Sequence, residues 1–512
     1  MHCRSPRHPH LRAAARRVAI DVLTPAIQQY LTVVEVLAIA VALLTAISSA
    51  DDVFVDTYYW CLRLLGGQNA KDRVLARSVQ ETTRLRERPF AIMVPAWQEH
   101  AVIYAMVATN SRLLTYRNYH YFIGVYRNDL ATIAEARRAQ KDCPNVHIVI
   151  VPRDGPTSKA DCLNVILRGI LDYENTLGEH FAGIVLHDAE DFIHPHEIAV
   201  FNSLIGHLYD FVQLPVFSFK QSLRDVVGGI YMDEFAEVHT KDLLVRKHLS
   251  GLIPCAGVSA CFSRDAVVAL VNNNLGAMFQ ISSFTEDYDI AFRLRALGLR
   301  TTFASCPVNY TIDMQQEKTT PQFVKRRMPI STREFFPSKL RSAYRQRARW
   351  LVGIVFQGTA AHGWGGTWGT MYFLLRDRKG ILTGPTVILG YFVLANFLLV
   401  EAFVAGFAPG THYAFRLLAQ GWVLDLFMLN LFFLIWRVAH RMTFTTMIYD
   451  WRHGLMSAPR LIVANFVNCF AAIRATQIYA THRWTGKALV WDKTSHSYPL
   501  TMARRTSPKA AA

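Results

Sequence analysis

The sequence predicts an α/β fold with a mostly parallel sheet, joined to transmembrane and interfacial helices. Three observations predict it. Short apolar runs alternate with helical patterns through the middle of the chain. Long apolar runs lie near both ends. Acidic clusters directly follow strand-like runs. The composition agrees: of 512 residues 51% are hydrophobic and only 18% charged, with a mean hydropathy of +0.15. That length exceeds one ordinary domain.

Residues 1–30 form a basic extension carrying Arg4, Arg7, Arg12, Arg16 and Arg17. The apolar run at residues 31–50 is about the length that crosses a bilayer's hydrocarbon core. It is long for a signal peptide and Ser48-Ser49-Ala50-Asp51 is a mediocre cleavage site, so we read a retained transmembrane anchor. Residues 51–88 open with an aromatic, amphipathic stretch (Phe54, Tyr58, Tyr59, Trp60, Leu64, Leu65) suited to a membrane surface. An α/β domain follows over residues 89–330. Its strands are expected at 90–94, 121–126, 146–151 and 183–186, and its helices include 101–114 and 161–173.

Residues 331–380 read as interfacial helices, and 381–407 and 418–436 as two transmembrane helices. Arg376, Arg378 and Lys379 precede that pair, Arg437 and Arg441 follow it, and only Arg416 lies between. The positive-inside rule therefore puts both outer ends in the cytoplasm. Residues 437–512 form a cytoplasmic segment with an interfacial helix at 459–479, because Asn465, Asn468 and Arg474 interrupt or border its apolar stretch. The N-terminal arginines pull the other way, since a cytoplasmic N-terminus would place the α/β domain outside.

The formal charge is +16, but the Lys and Arg residues are dispersed and no zinc or RNA-binding signature accompanies them. We read the charge as attraction to anionic lipid and to phosphate, and expect no nucleic-acid partner. The eight cysteines are scattered without a C-x-x-C pair, which argues against a disulfide framework or a zinc site.

Five clusters carry candidate chemistry: Pro95-Ala96-Trp97-Gln98-Glu99, Ser158-Lys159-Ala160-Asp161, Asp188-Ala189-Glu190-Asp191, Thr285-Glu286-Asp287 and Gln346-Arg347-Ala348-Arg349-Trp350. Asp188 to Asp191 follow a strand, and open α/β sheets bind ligands at the carboxyl ends of strands. Hard carboxylate oxygens suit Mg²⁺ or Mn²⁺; a solvated acidic turn is the bland alternative. Thr285 and Asp289 ahead of an apolar run look like a helix start. On a helix, Gln346, Arg349 and Trp350 share a face. A guanidinium there suits a pyrophosphate, although the arginines of this stretch would equally make a basic amphipathic helix at a membrane.

In this order the clusters resemble the processive, membrane-bound glycosyltransferases of family 2. The resemblance implies a GT-A (Rossmann-like) fold and inverting sugar transfer from a UDP-sugar, a UDP-N-acetylhexosamine being favoured, to a growing polysaccharide. Asp287, with Glu286, fills the catalytic Thr-Glu-Asp slot, where a base takes the acceptor hydroxyl's proton. Asp188 fills the first metal position, and Glu190 or Asp191 the second. Pro95, Glu99, Lys159, Asp161, Asp188, Gln346 and Arg349 fall in donor-binding motifs, and Gly257 and Trp350 in acceptor positions. Tyr126-Arg127-Asn128-Asp129 stands where the family has Asp-Asp-Gly, which leaves Asp129 as the donor candidate there.

Residues 155–164, Arg376-Asp377-Arg378-Lys379-Gly380 and Trp491-Asp492-Lys493-Thr494-Ser495-His496 resemble the bacteriophage-adsorption protein B branch of that family. The branch implies a multi-pass protein of the bacterial inner membrane with its catalytic domain in the cytoplasm, where nucleotide sugars are made. It also implies membrane lipid, an export partner or homo-oligomer, and a cyclic-di-GMP-linked regulatory partner. The alternatives are a non-catalytic phage receptor or scaffold on the same fold, and a monomer-transferring lipid-carrier enzyme.

Overall fold

The computed structural model describes residues 9–65, 85–309, 311–313, 322–324, 326–407, 416–486 and 498. The branch motif at 491–496 lies outside them. In chain order the main elements begin with α1 (Pro9–Leu64), β1 (Phe90–Ala96), α2 (Ile103–Leu113), β2 (Tyr119–Tyr126), α3 (Leu130–Asp142) and β3 (Val146–Val151). There follow α4 (Lys159–Leu177), β4 (Gly183–Leu186), α5 (Glu197–Leu204), β5 (Phe211–Gln213), β6 (Val216–Ser218) and α6 (Val226–Glu237). A π-helical turn, Val238–Asp242, leads into α7 (Leu243–Leu249), then β7 (Ala260–Ser263), α8 (Arg264–Asn273), α9 (Glu286–Ala296) and β8 (Thr301–Phe303). The last part holds α10 (Leu340–Leu351), a second π-helical turn Val352–Gln357, α11 (Gly358–His362), α12 (Trp368–Phe407), α13 (Gly421–Ile448) and α14 (Trp451–Thr485).

These elements form two compact units, Met1–Val53 with Leu382–Arg437, and Phe54–Ile381 with Val438–Ala512. In the first, Val34, Ala38 and Val393 are buried together with Phe397, Leu418 and Phe427 around them. Buried Glu35 accepts the backbone N–H groups of Leu417 (3.0 Å) and Leu418 (3.1 Å) through Oε1, which explains how a carboxylate is tolerated in so apolar a segment. Large apolar side chains such as Val33, Ile47, Leu399 and Ile435 point outward.

The second unit is built on a seven-stranded sheet of order β3-β2-β1-β4-β7-β5-β8. β7 runs antiparallel to both of its neighbours, β4 and β5; the other pairs are parallel. Apolar side chains on both faces are buried, from Phe90, Ile92 and Val94 on one side to Ala91, Met93 and Phe122 on the other. That two-sided burial is why these strands read as continuous apolar runs rather than alternating ones. Strand order reverses between β1 and β4, so their carboxyl ends flank the crevice where such sheets bind ligands.

Four described helices are long and apolar enough to cross a membrane, in segments Ile27–Leu64, Trp368–Phe403, Gly421–Ile448 and Trp451–Thr485. Three overlap the stretches 31–50, 381–407 and 418–436. The anchor and the aromatic stretch after it are one continuous helix rather than two elements, because no Gly or Pro breaks residues 31–64. In the second unit Val55 and Tyr59 of that stretch are buried against Val245, Phe373 and Phe444. Its buried face therefore meets protein. The fourth segment, α14, contains the stretch expected to be interfacial. Ala464 and Val467 pack with Ile230, Tyr231 and Ala343, and Ala471 and Ala475 with Ala348 and Val352. The cysteines among the described residues are all free.

Candidate functional site

β1 delivers Pro95 and Ala96 to the crevice and then turns sharply, with Gln98 at φ 55°. Asp129 fixes that turn. Its carboxylate accepts the Gln98 N–H at 2.5 Å and, as the N-cap of α3, the Thr132 N–H at 3.2 Å. The Glu99 N–H is bonded to Thr132 Oγ1 at 3.0 Å, and Glu99 itself is buried. Asp129, the donor candidate of this stretch, thus also shapes the β1 loop.

Beside it, the Trp97 and Tyr126 rings meet edge to face, 5.1 Å between centroids. A Cβ on Gly155 would lie 2.5 Å from the Trp97 ring, so only glycine lets that backbone rest on the indole. Asn128 holds it there by a reciprocal pair: Asn128 Nδ2 donates to the Gly155 carbonyl (2.9 Å) and the Gly155 N–H to Asn128 Oδ1 (2.8 Å).

Ser158 caps α4 by accepting the Asp161 N–H at 3.2 Å, which launches Lys159 at the first helical position. Lys159 Nζ lies 2.6 Å from Asp188 Oδ1. Burial disfavours the ammonium, but Asp188, Glu286 and Asp287 outweigh it and hold Lys159 charged above the ordinary lysine range. Burial in turn pushes Glu286 and Asp287 above the usual carboxylate range, against the pull of Lys159; the charge of Asp188 adds to both rises and that of Asp287 to Glu286's. One ammonium faces three carboxylates.

Gly257 closes the other side. It sits at φ 78°, and a Cβ there would be 2.8 Å from Asp287 Oδ2 and 3.6 Å from Lys159 Nζ. Buried Gln213 shapes this loop, its Oε1 accepting the Ala256 N–H (2.8 Å) while its Nε2 donates to the Val258 carbonyl (2.9 Å). Thr285 occupies the N-cap of α9 but makes no side-chain cap bond. Its hydroxyl packs against Gly353 so closely that no Cβ fits there. Gln357 completes the contact: its Oε1 accepts the Phe284 N–H (2.8 Å) and its Nε2 donates to the Ser282 carbonyl (2.9 Å). The Gln346-to-Trp350 helix and the Thr285–Asp287 turn are thereby joined through a π-helical turn, a feature common at functional sites.

The acidic cluster divides in two. Asp188 faces Lys159. Asp191 is fully buried and turned inward, its Oδ2 accepting the Asp188 N–H (3.0 Å) and meeting His187 Nδ1 (2.8 Å). His187 Nε2 reaches Glu197 Oε1 (2.9 Å), whose other oxygen accepts from Thr332 Oγ1 (2.9 Å). Burial alone would neutralise His187, but Glu197 and Asp191 reverse it and raise it to about 9. Glu190, two residues after Asp188, is buried. Among the described residues no three His, Cys, Asp or Glu side chains form a ready-made metal shell.

Other candidates have different partners. Asp161 is buried and ion-paired with Arg153. Asn164 clasps Phe279 through both its amide atoms, at 2.8 and 2.9 Å. The ring of Trp350 is 6.3 Å from that of Tyr231, edge to face. Arg347 is buried, bonded to Glu234 (2.7 Å) and Asn468 (2.7 Å), so this helix presents protein contacts where a purely membrane-facing basic helix would present charge. Gln346 is half-buried, and its Oε1 is buried without a hydrogen-bond donor. Sequence reasoning missed Gln213, Gly353 and Gln357, and no residue-type signal marked them.

A model described as glycosyltransferase like family 2 matches residues 88–353. The chain is 38% identical over 480 residues to bacteriophage adsorption protein B of Escherichia coli (strain K12), covering 94% of this chain and 64% of that protein, so it spans less than two thirds of the relative's length. The N4 adsorption protein B of Escherichia coli O157:H7 matches to the same extent. Among solved structures, the mannosyltransferase PcManGT from Pyrobaculum calidifontis in complex with GDP-Man and Mn²⁺ is 16% identical, covering 86% of this chain and 99% of its own, at a TM-score of 0.46. Glucosyl-3-phosphoglycerate synthase of Mycobacterium tuberculosis in complex with Mn²⁺ and UDP is 15% identical over 45% of this chain and 71% of its own, at 0.26.

Proposed function

Because this chain belongs to the glycosyltransferase like family 2, whose fold class is GT-A, we propose that it is an inverting, metal-dependent glycosyltransferase of the bacterial inner membrane. It moves a sugar from a nucleotide donor, a UDP-N-acetylhexosamine, to a growing surface polysaccharide. The observation that carries the reading is the largely shielded group at the crevice mouth, where Lys159 faces Asp188, Glu286 and Asp287 while the Gly257 backbone closes on Asp287.

The residues fit a divalent cation. The donors are hard oxygens, and three carboxylates against one ammonium leave negative charge that a cation relieves. Since the described residues form no closed protein shell, Asp188 and Glu190 would hold it alongside the donor's own phosphates, as is usual for Mg²⁺. Such an ion neutralises charge on a diphosphate leaving group.

The chain's own groups do the rest. Pro95, Glu99 and the Trp97–Tyr126–Gly155 wall line the nucleotide side, and Lys159, Gln346 and Arg349 stand toward the diphosphate. Asp287 accepts the proton of the acceptor hydroxyl as that oxygen bonds to the anomeric carbon, and the bonding pair to the old oxygen leaves with the diphosphate. Gly257, having no Cβ, leaves the space beside Asp287 open to the acceptor, and Trp350 stands on the acceptor side. The α/β unit is cytoplasmic and α14 interfacial, with lipid, an export partner or second copy, and a cyclic-di-GMP-linked regulator as partners.

Donor turnover by the full chain in nanodiscs tests this. With Mn²⁺ or Mg²⁺ and a panel of UDP-sugars, release of UDP from one donor, abolished by Asp287→Asn, is the expected result. Folded protein that binds and turns over none of them overturns the reading.

A further inference from the structure

Asp377 lies early on α12, within the Arg376-to-Gly380 segment but outside the five clusters that carry candidate chemistry, and three elements of the second unit meet at its carboxylate. Tyr288, next in sequence to Asp287, donates from its hydroxyl to Asp377 Oδ2 at 2.7 Å. Arg246 of α7 donates from Nη1 to Asp377 Oδ1 at 2.8 Å. The same guanidinium bonds the Leu252 carbonyl through Nε at 2.9 Å, at the root of the loop that ends in Gly257. Both partners are buried, Tyr288 at 6% and Arg246 at 5% exposure, and the Asp377 carboxylate is itself largely shielded.

The packing around this node leaves little play. α12 lies against the end of α7 so tightly at Gly369 that a Cβ there would collide with the Leu249 carbonyl. One turn before Asp377, the Phe373 ring lies 5.3 Å beneath the Arg246 guanidinium. Asp287 is tied to the same place, since its Oδ1 accepts the Tyr288 N–H at 2.8 Å.

The geometry points to Asp377 as a positioning residue for sugar transfer: through Tyr288 it sets Asp287, through Arg246 it sets the Gly257 loop, and so it fixes the gap between base and acceptor. This rests on the reading of Asp287 as the base. A carboxylate suits the task because it accepts two directed hydrogen bonds at once, one of them charge-assisted. The predicted fault on its loss is misalignment, which costs rate rather than donor affinity.

The test uses the full chain in nanodiscs with Asp377→Asn, Tyr288→Phe and the double variant. Asp377→Asn should lower kcat by about tenfold and Tyr288→Phe by less, with donor KM within about twofold of the parent, since misplacement by a fraction of an ångström acts on the chemical step. The double variant should be no slower than Asp377→Asn alone, because both break one link. Unchanged kcat in both single variants overturns the proposal. So does a loss of kcat that is matched by a lower melting temperature in Tyr288→Phe, which removes one oxygen and nothing else. A parent protein active on a donor and silenced by Asp287→Asn keeps the glycosyltransferase reading intact whichever way Asp377 falls.

Discussion

Two buried charge clusters of the second unit look alike in composition and differ in balance. At the crevice mouth one ammonium, Lys159, faces the carboxylates Asp188, Glu286 and Asp287. Deeper in the unit, Lys241 pairs with Asp56, with Glu237 (2.8 Å) and with Asp242 (3.3 Å), while Arg441 adds to Glu237 (2.8 Å) and Arg376 to Asp242 (3.3 Å). There three cations meet three carboxylates, with Lys241 and Asp56 entirely buried. A matched cluster satisfies itself and serves as scaffold. The unmatched one holds two carboxylates above their ordinary range and is completed only by what binds.

The largest effect expected from breaking this contrast is at Asp287. Asp287→Asn should cut kcat by about 10²–10⁴-fold with the melting temperature held or raised, because it removes the proposed base and relieves an excess of charge. The measurement is UDP release beside a thermal melt. Lys241→Met should do the reverse: a stability loss of about 3–5 kcal/mol from stranding buried carboxylates, seen by chemical denaturation, with activity of the surviving folded fraction unchanged. If Asp287→Asn destabilised and Lys241→Met did not, the contrast would fail.

Gly257→Ala tests the acceptor side. A side chain at φ 78° costs about 1–2 kcal/mol, and the Cβ would press on Asp287. We expect a modest drop in melting temperature with acceptor transfer lost and donor binding kept, by calorimetry.

The last effect is a pH dependence. Burial and Asp287 raise Glu286 from 4.5 to about 8 in the folded chain. The folded state therefore keeps a proton that the unfolded state has released, so this contribution is complete below 4.5 and is lost as pH rises through about 8. The metal-free protein should lose stability across that window, and Glu286→Gln should flatten the loss. Melts from pH 5 to 9 with chelator, on an about one-unit grid, read it out.

Much of this was legible in the chain. Strands 146–151 and 183–186 stand where the apolar runs put them, and the other two agree within two residues at either end, because strands buried on both faces leave an unbroken apolar signature. The long apolar helices were legible for the same reason. Less legible was where helices stop: the lack of Gly or Pro in residues 31–64 permits α1 to run on to Leu64 without requiring it, and packing of Val55 and Tyr59 adds the reason. The roles of neighbouring carboxylates were not legible at all. Asp188 and Asp191 both read as metal candidates in sequence, yet one faces Lys159 and the other is turned into a buried bond with His187.

Sequence alone determined the family, the α/β class and the identities of the charged groups, since each rests on local pattern and on motif order. Tertiary structure decided which of those charges face one another. Gly257 is 30 residues from Asp287 and Lys159 is 98 from Gly257, and no local rule relates them. Their meeting is a product of sheet order, which brings the ends of β1 and β4 side by side, and of a glycine whose missing Cβ leaves room for a carboxylate.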